Sequence, residues 1–572
     1  MLIIFGVRLK RRLILFVGIV LGLAYLIPNH SPPWVVFHED TIAAVAFLPL
    51  MVWGVGLRKT KPTIMLGVFF LALVPIAQLL SGQVLFASDS WLAALYLMGF
   101  AYSILAGTRI TSEPAPQQNL ALAGLAPLFA CFIFSGLLSV AVAIHQWLDL
   151  GILGLYVVDM RFGGRPYANL AQPNQLATLL LLGELGLIFM FEMRFIRAPI
   201  AFVGAMMLAF GLAMTQSRSV LMALLFFWIA FLGLRARASL RTRLLPLSIV
   251  TAFYACIAWK WLAINEKLLL SGGTSLAERL NQDLRITIWG QMLDAITRAP
   301  WLGYGWNQVP IAQKLTALDH PATHHYFTSA HNFLVDLAIW CGLPIAVFIS
   351  AGLVAWFIAQ IKYCRDPLSW CALVAVLLVF GHSLVEFPLY YAYFLLPVGL
   401  LMGALQVNLP RTQCWNIKFP NPVLWAGGGA VFALFFAIVS EYPGWEQEWQ
   451  RVRFEKARIG TRETTAPPRA FILTEFPAVL KFARTDPTRD MQAEDINEMR
   501  RVVERFGWAN NLFKYALVMG LNGEPKEAED ALARLCKMHT ERNCREARET
   551  WLELATEKYP ELGKIKLPEL GN

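Results

Sequence analysis

Long apolar runs separated by short polar segments dominate the chain up to about residue 440. Most runs have about 17–25 residues, the length that a helix needs to cross the ~30 Å hydrocarbon core of a bilayer. Helices satisfy their own backbone hydrogen bonds in lipid, and the alternating ten-residue segments of a membrane barrel are missing from the sequence. The pattern predicts an all-α polytopic membrane protein with about thirteen transmembrane helices, at residues 13–27, 41–57, 63–80, 91–107, 125–148, 176–193, 199–214, 219–234, 244–264, 334–361, 370–382, 390–405 and 423–440.

Composition and charge support the membrane class. The 572 residues are 57% hydrophobic and 15% charged, with a mean hydropathy of +0.52. The net charge of +10 lies in short loops between apolar runs, which argues against nucleic-acid binding. A cytoplasmic N-terminus places about 18 Lys and Arg residues inside and about 8 outside before the last span, as the positive-inside rule requires. The first run follows RLKRR without a small-residue cleavage site, so we expect an anchor rather than a signal peptide.

Three regions are expected along the chain. These are N-terminal transmembrane helices at 1–160, a membrane core at 161–440 with a long outer loop at 265–333, and a soluble outer tail at 441–572. The tail carries apolar residues at helical spacing, and its helical pairs resemble tetratricopeptide-like repeats without a clean period. Cys536 and Cys544 are the two cysteines of the tail. In an oxidising compartment they are candidates for a disulfide.

Polar motifs gather on the predicted outer side, in segments 161–175, 215–219, 283–342 and 381–394. Arg218 ends an apolar hairpin, where a charge is costly unless it is paired or faces water. One interpretation is that Arg218 and Arg285 clamp a diphosphate, since the planar guanidinium donates two hydrogen bonds to phosphate oxygens. The other is that Arg218 anchors the helix at the interface. Arg161 and Arg165 either bind the same anion or hold their loop against lipid headgroups.

Five of the nine histidines lie in two outer segments. Among them, His331 opens an apolar run, and its neutral imidazole is suited to accept a proton from a hydroxyl. A metal site is the alternative for clustered histidines, but no spacing matches a zinc or two-metal pattern. His382 and Glu386 are four residues apart and are expected on one helical face, where they bind a polar acceptor or orient one another. The link containing His320, His324 and His325 is expected to be a mobile lid.

Amide and aromatic side chains supply candidate sugar contacts. The amides of AQPNQ are suited to hydrogen-bond sugar hydroxyls, although the same residues could cap the helix expected near residue 176. The aromatic rings around Tyr391 fit an interfacial belt as well as they fit sugar stacking. The candidate substrate-binding residues are therefore Arg161, Arg165, Gln172, Asn174, Gln175, Asn332, His382, Glu386 and Tyr391.

The ordered motifs RPYANLAQPNQLA, TQSRS, RITIWGQMLDAITRAPWLGYGWNQ, AHNFLVDLAIWCGLP and HSLVEFPLYYAYF resemble the O-antigen ligase superfamily of bacterial inner-membrane glycosyltransferases. The sequence is most similar to its PglL-type protein O-oligosaccharyltransferases. The resemblance implies a catalytic core at 161–440 that transfers an oligosaccharide from undecaprenyl diphosphate to a hydroxyl of a pilin or other periplasmic protein. It implies roles for two arginines and a histidine, which match Arg218, Arg285 and His331. No metal or other cofactor is expected, because arginine supplies the positive charge.

Two alternative functions differ in the acceptor, and a third is transport rather than glycosyl transfer. Ligation of O-antigen to lipid A-core and polymerisation of O-antigen are the same chemistry on a lipid-linked acceptor. The soluble tail and the HSLVEFP segment favour a protein acceptor. A transporter or lipid flippase would be expected to show related halves with broken helices at mid-membrane. The polar motifs lie at one face without such a repeat, which argues against transport.

Overall fold

The computed structural model describes residues 2–55, 60–112, 122–160, 163–270, 284–410, 416–460 and 468–568. Within these ranges the regular structure is helical apart from one antiparallel pair of three-residue strands, β1 (Thr60–Pro62) and β2 (Asn416–Lys418), with Thr60 opposite Lys418. The all-helical class is therefore confirmed. The helices are α1 (Leu2–Leu26), α2 (Phe37–Val55), α3 (Thr63–Leu71), α4 (Leu73–Leu80), α5 (Ala87–Ser112), α6 (Ala126–Trp147), α7 (Pro173–Glu192), α8 (Ala198–Met214), α9 (Ser219–Leu234), α10 (Leu244–Lys267), α11 (Arg285–Arg298), α12 (Val309–Thr316), α13 (Phe333–Tyr363), α14 (Pro367–His382), α15 (Ala392–Ala404), α16 (Asn421–Lys456), α17 (Glu475–Arg484), α18 (Ala493–Arg505), α19 (Ala509–Leu521), α20 (Pro525–Met538) and α21 (Glu541–Glu557).

Every predicted span overlaps a helix of the structure. In the described ranges, seven helical segments are long and apolar enough to cross a membrane, and four further apolar helices are shorter. The protein is therefore a multi-pass membrane protein. The number of helices that cross the bilayer stays a prediction.

Several helix ends differ from the predicted ones, for reasons visible in the sequence. The span at 63–80 is divided into α3 and α4, because Pro75 has no N–H to donate to the carbonyl one turn earlier. Helix α7 begins at Pro173, since proline is favoured in the first turn and its missing N–H costs nothing there. Helix α16 continues past residue 440 to Lys456, where polar side chains replace the apolar run.

The described chain divides into two compact units. The first comprises residues 1–71, 96–283 and 352–433. Its helices approach closely where small residues face one another, as is common in membranes. A Cβ added to Gly107 on α5 would overlap the carbonyl oxygen of Leu400, and one added to Gly403 on α15 would overlap that of Ile104. These two glycines therefore fix the close packing of α5 on α15.

The second unit comprises residues 72–95, 284–351 and 434–572, so it groups the tail with residues 284–351. Arg505 of α18 forms a two-pronged ion pair with Asp89, at 2.7 and 2.8 Å, and only about a tenth of either side chain is exposed. In the tail, the Sγ atoms of Cys536 and Cys544 are bonded and join α20 to α21. The tail is thus tied into its unit by a buried charge pair.

Helix α13 is broken at Gly342, whose φ of 77° is left-handed. The turn of Gly303 and Tyr304 docks into this break. The Tyr304 N–H donates to the Ile339 carbonyl at 2.6 Å, and a Cβ on Gly303 would overlap that carbonyl oxygen. The break in α13 therefore leaves the Ile339 carbonyl accessible to the turn of Gly303 and Tyr304, and this contact fixes the first half of α13 against that turn.

Candidate active site

In the first unit, the TQSRS turn that carries Arg218 is fixed by residues from another predicted motif. The Ser217 hydroxyl donates to Asn174 Oδ1 at 2.7 Å, and Arg165 Nη1 donates to the Thr215 carbonyl at 3.3 Å. Thr215 and Ser217 are buried. The structure thus brings Arg165 and Asn174 to the turn of Arg218, as an anion site formed by these motifs requires. Arg161 lies outside the described residues.

His382 is the last residue of α14 and is buried beside α7. Its Nδ1 lies 2.8 Å from the Thr178 hydroxyl, which itself donates to the Asn174 carbonyl at 3.1 Å. His382 is therefore linked through Thr178 to Asn174, the residue that also bonds to the turn of Arg218. Glu386 is not on a common helix with it, because α14 ends at His382 and the chain turns toward Pro388. The prediction of a shared helical face is wrong, although the Glu386 N–H still donates to the His382 carbonyl at 2.9 Å.

The remaining predicted contacts of this unit lie at the start of α7 and α15. Gln172 occupies the position just before α7. Gln175 is buried and accepts a 2.8 Å hydrogen bond from the Tyr393 hydroxyl. The ring of Tyr391 stacks on that of Tyr393, with centroids 5.3 Å apart. Gln175 therefore has a structural partner, whereas Tyr391 lies at the entrance to α15.

Sequence reasoning missed two acidic residues in the first turn of α2. Glu39 and Asp40 are both buried. Glu39 Oε1 lies 3.2 Å from His30 Nε2, which also lies 2.6 Å from the Asn169 carbonyl, and Asp40 accepts a 2.6 Å bond from the Ala392 N–H. Glu39 thus connects α2 through His30 to the segment at 161–175, and Asp40 connects α2 to the segment at 381–394. The signal was the acidic pair in FHEDT at the start of an apolar run, since charges there are rarely incidental.

In the second unit, Arg285 is the first residue of α11. Trp289 follows one turn later on the same face of the helix. Its indole Nε1 donates to the Ala330 carbonyl at 2.8 Å. The helix that carries Arg285 is thus bonded directly to the residue before His331.

His331 lies in a loop with a left-handed backbone, at φ 53°. Asp336, in the first turn of α13, is buried and accepts from the Ala330 N–H and from the Ser329 hydroxyl, both at 2.7 Å. Ser329 Oγ in turn accepts from the His331 N–H at 3.0 Å. This network, which we call the Asp336 cradle, holds the histidine in a conformation that bulky residues seldom adopt.

Asn332 has a local structural task. Its Oδ1 accepts from the Leu334 N–H at 3.1 Å and lies 3.5 Å from the Val335 nitrogen, at the start of α13. This is the arrangement by which asparagine caps a helix. Its predicted contact with substrate stays a prediction, with the side-chain oxygen already engaged.

The histidine-containing link is bonded to the body of the unit on one side. Gln313 is fully buried and donates through Nε2 to the His325 carbonyl at 2.8 Å, while its Oε1 accepts from the Phe327 N–H at 3.2 Å. Desolvation lowers the pKa of His325, and the electrostatic influence of the neighbouring His331 lowers it further. Gln313 therefore fixes the chain just ahead of the Asp336 cradle.

On its other side the link is bonded to the tail. The Lys537 carbonyl accepts from the N–H groups of Thr323 and His324, both at 3.0 Å, and Lys537 Nζ donates to the His320 carbonyl at 3.0 Å. His320 Nε2 also lies 2.8 Å from Asp294 Oδ2. These bonds argue against the mobile lid expected from the sequence, because its backbone is tied at several points.

The histidines are not arranged as a metal site in the described ranges. No group of three or more His, Cys, Asp or Glu side chains there could hold a metal ion. The expectation of metal-independent chemistry rests on the arginines and stays a prediction.

Comparisons with known proteins match the same motifs. Family models described as "Protein glycosylation ligase", "O-Antigen ligase" and "Virulence factor membrane-bound polymerase, C-terminal" match residues 166–191, 202–350 and 370–552. A general O-oligosaccharyltransferase of Acinetobacter baylyi is 30% identical over 551 residues, covering 94% of each chain. The chain belongs to the O-oligosaccharyltransferase family. A ComP-specific O-oligosaccharyltransferase of the same organism is 28% identical over 387 residues, covering 67% of this chain and 69% of that protein.

The predicted family is confirmed, and this O-oligosaccharyltransferase is an enzyme of the glycosyltransferase type. The O-antigen ligase match includes Arg218, Arg285 and His331, and the protein glycosylation ligase match includes AQPNQ. Nothing in these matches assigns a role to a single residue.

Proposed function

We propose that the protein transfers a whole oligosaccharide from undecaprenyl diphosphate to serine or threonine hydroxyls of periplasmic proteins, pilins among them. The observation that carries the proposal is the similarity to a general O-oligosaccharyltransferase along 94% of both chains. The polar motifs add chemistry that suits this reaction, with arginines for a diphosphate and a histidine for a hydroxyl.

In the proposed mechanism, Arg218 and Arg285 bind the diphosphate of the donor. The acceptor oxygen attacks the anomeric carbon, a new carbon–oxygen bond forms, and the bond from that carbon to the diphosphate breaks. The leaving diphosphate takes the electron pair, and the arginines stabilise its growing charge. His331 accepts the proton of the acceptor hydroxyl. A second possibility for His331 is that it orients the diphosphate. In this scheme no metal or cofactor takes part.

The remaining candidates are proposed to bind substrate around this centre. Arg165 and Asn174 already contact the turn of Arg218, so they are placed to act on the donor side. The further candidates are Arg161, Gln172, Gln175, Asn332, His382, Glu386 and Tyr391.

We place the enzyme in the bacterial inner membrane with about thirteen spans, a cytoplasmic N-terminus and a periplasmic site and tail. The distribution of Lys and Arg supports this orientation. The bonded pair Cys536 and Cys544 is compatible with it, since disulfides persist in an oxidising compartment.

Co-expression with a pathway for a lipid-linked glycan and one candidate pilin tests the proposal. We expect the intact mass of the pilin to increase by one whole glycan, and expect no increase with the His331→Ala variant. An unmodified pilin, with the enzyme and donor both present, would contradict transfer to that acceptor.

The second candidate is transfer to a lipid-linked sugar, which the O-antigen ligase and polymerase models favour by their descriptions. The same cells distinguish it. Ligation would add glycan to lipid A-core, and polymerisation would lengthen the lipid-linked glycan. Either change with an unmodified pilin would replace the first proposal by the second.

A further inference from the structure

An exposed apolar loop follows α6 in the first unit. Residues 148–156 read LDLGILGLY, and Asp149 is their single charge. Ile152 is 78% exposed, Leu155 95% and Tyr156 79%. Side chains of this type are seldom left in water in such a cluster, because a contiguous apolar patch usually marks an interaction surface.

The loop has a fixed conformation at its start. His145, near the end of α6, accepts through Nε2 from the N–H groups of Ile152 and Leu153, at 3.0 and 3.2 Å. The Leu150 N–H donates to the His145 carbonyl at 3.2 Å. Left-handed backbone at three positions allows this tight path, at Asp149, Gly151 and Gly154. The imidazole therefore folds the loop back so that its apolar side chains project outward.

The loop is fixed at its other end by Asn169. Its Nδ2 donates to the Tyr156 carbonyl at 2.9 Å, and its Oδ1 accepts from the Val158 N–H at 3.1 Å. Asn169 belongs to the segment that leads into α7, four residues after Arg165. Both ends of the exposed loop are thus hydrogen-bonded to the first unit, so its exposure is a property of the fold.

The position of the loop identifies its partner. It continues directly from α6, a helix long and apolar enough to cross a membrane. The same helix exposes Phe134 and Leu138 along its length, the residue types that face lipid. At the end of such a helix the loop meets the boundary of the bilayer, where aliphatic side chains enter hydrocarbon and a tyrosine is favoured at the headgroups.

We propose that residues 148–156 form an apolar wedge that inserts into one lipid leaflet at the end of α6. The leaflet is the outer one in the orientation given above. The wedge keeps the Asn169 segment, and with it Arg165, at the lipid surface, which is the depth at which a lipid-linked diphosphate presents its charge. A second copy of the chain and a protein acceptor are the other possible partners.

Site-specific photocrosslinking tests the wedge. The full-length protein is prepared with p-benzoylphenylalanine in place of Leu155, and separately in place of Tyr156, in nanodiscs of phosphatidylethanolamine and phosphatidylglycerol. Leu552, an aliphatic residue of α21 in the tail that is 54% exposed, gives the matched control. After irradiation, peptide masses report whether the probe has joined a lipid chain.

We expect at least fivefold more lipid adduct at positions 155 and 156 than at 552. Lipid adducts no more frequent than at 552 would overturn the proposal, as would adducts to a second copy of the chain in their place. Irradiation with an acceptor protein present must leave the lipid adducts dominant; a switch to that protein would also overturn it. The readout needs no transfer activity, so its failure is distinguishable from failure of the proposed function.

Discussion

Around Arg218, the turn is held by side chains from segments far away in the sequence, whereas around His331 the loop is held by a few neighbouring residues. Ser217 reaches Asn174 across 43 positions of sequence. Asp336 bonds to the loop of His331 at residues six and seven positions away. The first arrangement depends on how helices pack, and the second is largely built into one stretch of chain.

This difference suggests a division of labour between the two regions. A site for a charged lipid-linked donor gains from several helix ends that converge on one anion. A proton acceptor needs a fixed side chain, and a short cradle of backbone bonds supplies it. We therefore expect changes near Arg218 to affect donor binding and changes near His331 to affect turnover.

The largest effect is expected for His331→Ala. Loss of a general base lowers rates by about 10²–10⁴-fold, so we expect turnover to fall by at least about 10²-fold with unchanged membrane insertion. His324→Ala removes an exposed histidine of the same segment and should stay within about threefold of the wild type. Turnover above a tenth of normal in the His331 variant would contradict its assignment. Initial rates in membranes with one lipid-linked donor provide the measurement.

Arginine substitutions come next. Lysine keeps the charge but loses the two-pronged donor geometry, so we expect Arg218→Lys and Arg285→Lys each to lower kcat/KM about 10- to 100-fold. Arg298→Lys, at the other end of α11 and ion-paired with Asp294, is the matched control. Equal activity of Arg285→Lys and Arg298→Lys would remove Arg285 from the donor site.

Substitutions of one supporting residue in each region, Asp336 and Asn174, compare the two regions directly. A buried hydrogen bond lost without replacement costs roughly 1–3 kcal/mol, and about 1.4 kcal/mol corresponds to a tenfold effect. Asp336→Asn should therefore lower kcat about tenfold with little change in the donor KM. Asn174→Ala should raise the donor KM by a similar factor and leave kcat nearly intact. The same pattern of kcat and KM in both variants would refute the division of labour.

Removal of the disulfide between Cys536 and Cys544 tests whether the tail affects turnover only through its contribution to stability. Its two cysteines are eight positions apart, so their replacement by serine should cost about 2–3 kcal/mol of tail stability. Activity at low temperature should fall less than about threefold, since Gln313 and Asp336 still hold the His331 loop. Cys256→Ser, in the first unit, should change neither quantity. Thermal unfolding and initial rates are the two measurements.

The smallest effect concerns Glu475 in the tail. Burial raises its pKa to about 7 from a usual 4.5. Because the folded protein holds this proton more tightly than the unfolded chain, stability falls as the pH rises from about 4.5 through 7. Glu475→Gln should stabilise the protein by about 1–2 kcal/mol at pH 8 and have almost no effect at pH 4. Equal changes in the free energy of unfolding at both pH values would show that folding does not raise the pKa of Glu475.

Apolar periodicity was sufficient to predict the helices, because each span must bury a continuous run of side chains. It was less informative about helix starts, since α7 and α14 each begin three residues before the predicted position. Glu386 lies beyond the end of α14. Residue type and spacing identified Arg218, Arg285 and His331 as candidates. Most of the residues that hold them in place are visible only in three dimensions.

The supports were missed because their partners are distant or ordinary in sequence. Gln313 is one glutamine among many until its buried bonds to His325 and Phe327 are seen. Glu39 contacts His30, which bonds to Asn169 139 positions further along the chain, and the Ala392 N–H bonded to Asp40 lies 352 positions after it. Asp336 is the one support that the sequence could have revealed. An acid in the first turn of an apolar helix, close to His331, suggests a local hydrogen bond.

Reconstitution tests the central claim most directly. The purified enzyme in nanodiscs is mixed with a synthetic undecaprenyl-diphosphate-linked glycan, an acceptor protein with one modifiable serine, and lipid A-core. Intact mass should show the acceptor heavier by the glycan less one water. The serine-to-alanine acceptor and the His331→Ala enzyme should show no change. Unmodified acceptor, with glycan on lipid A-core or on a second lipid-linked glycan, would contradict the account.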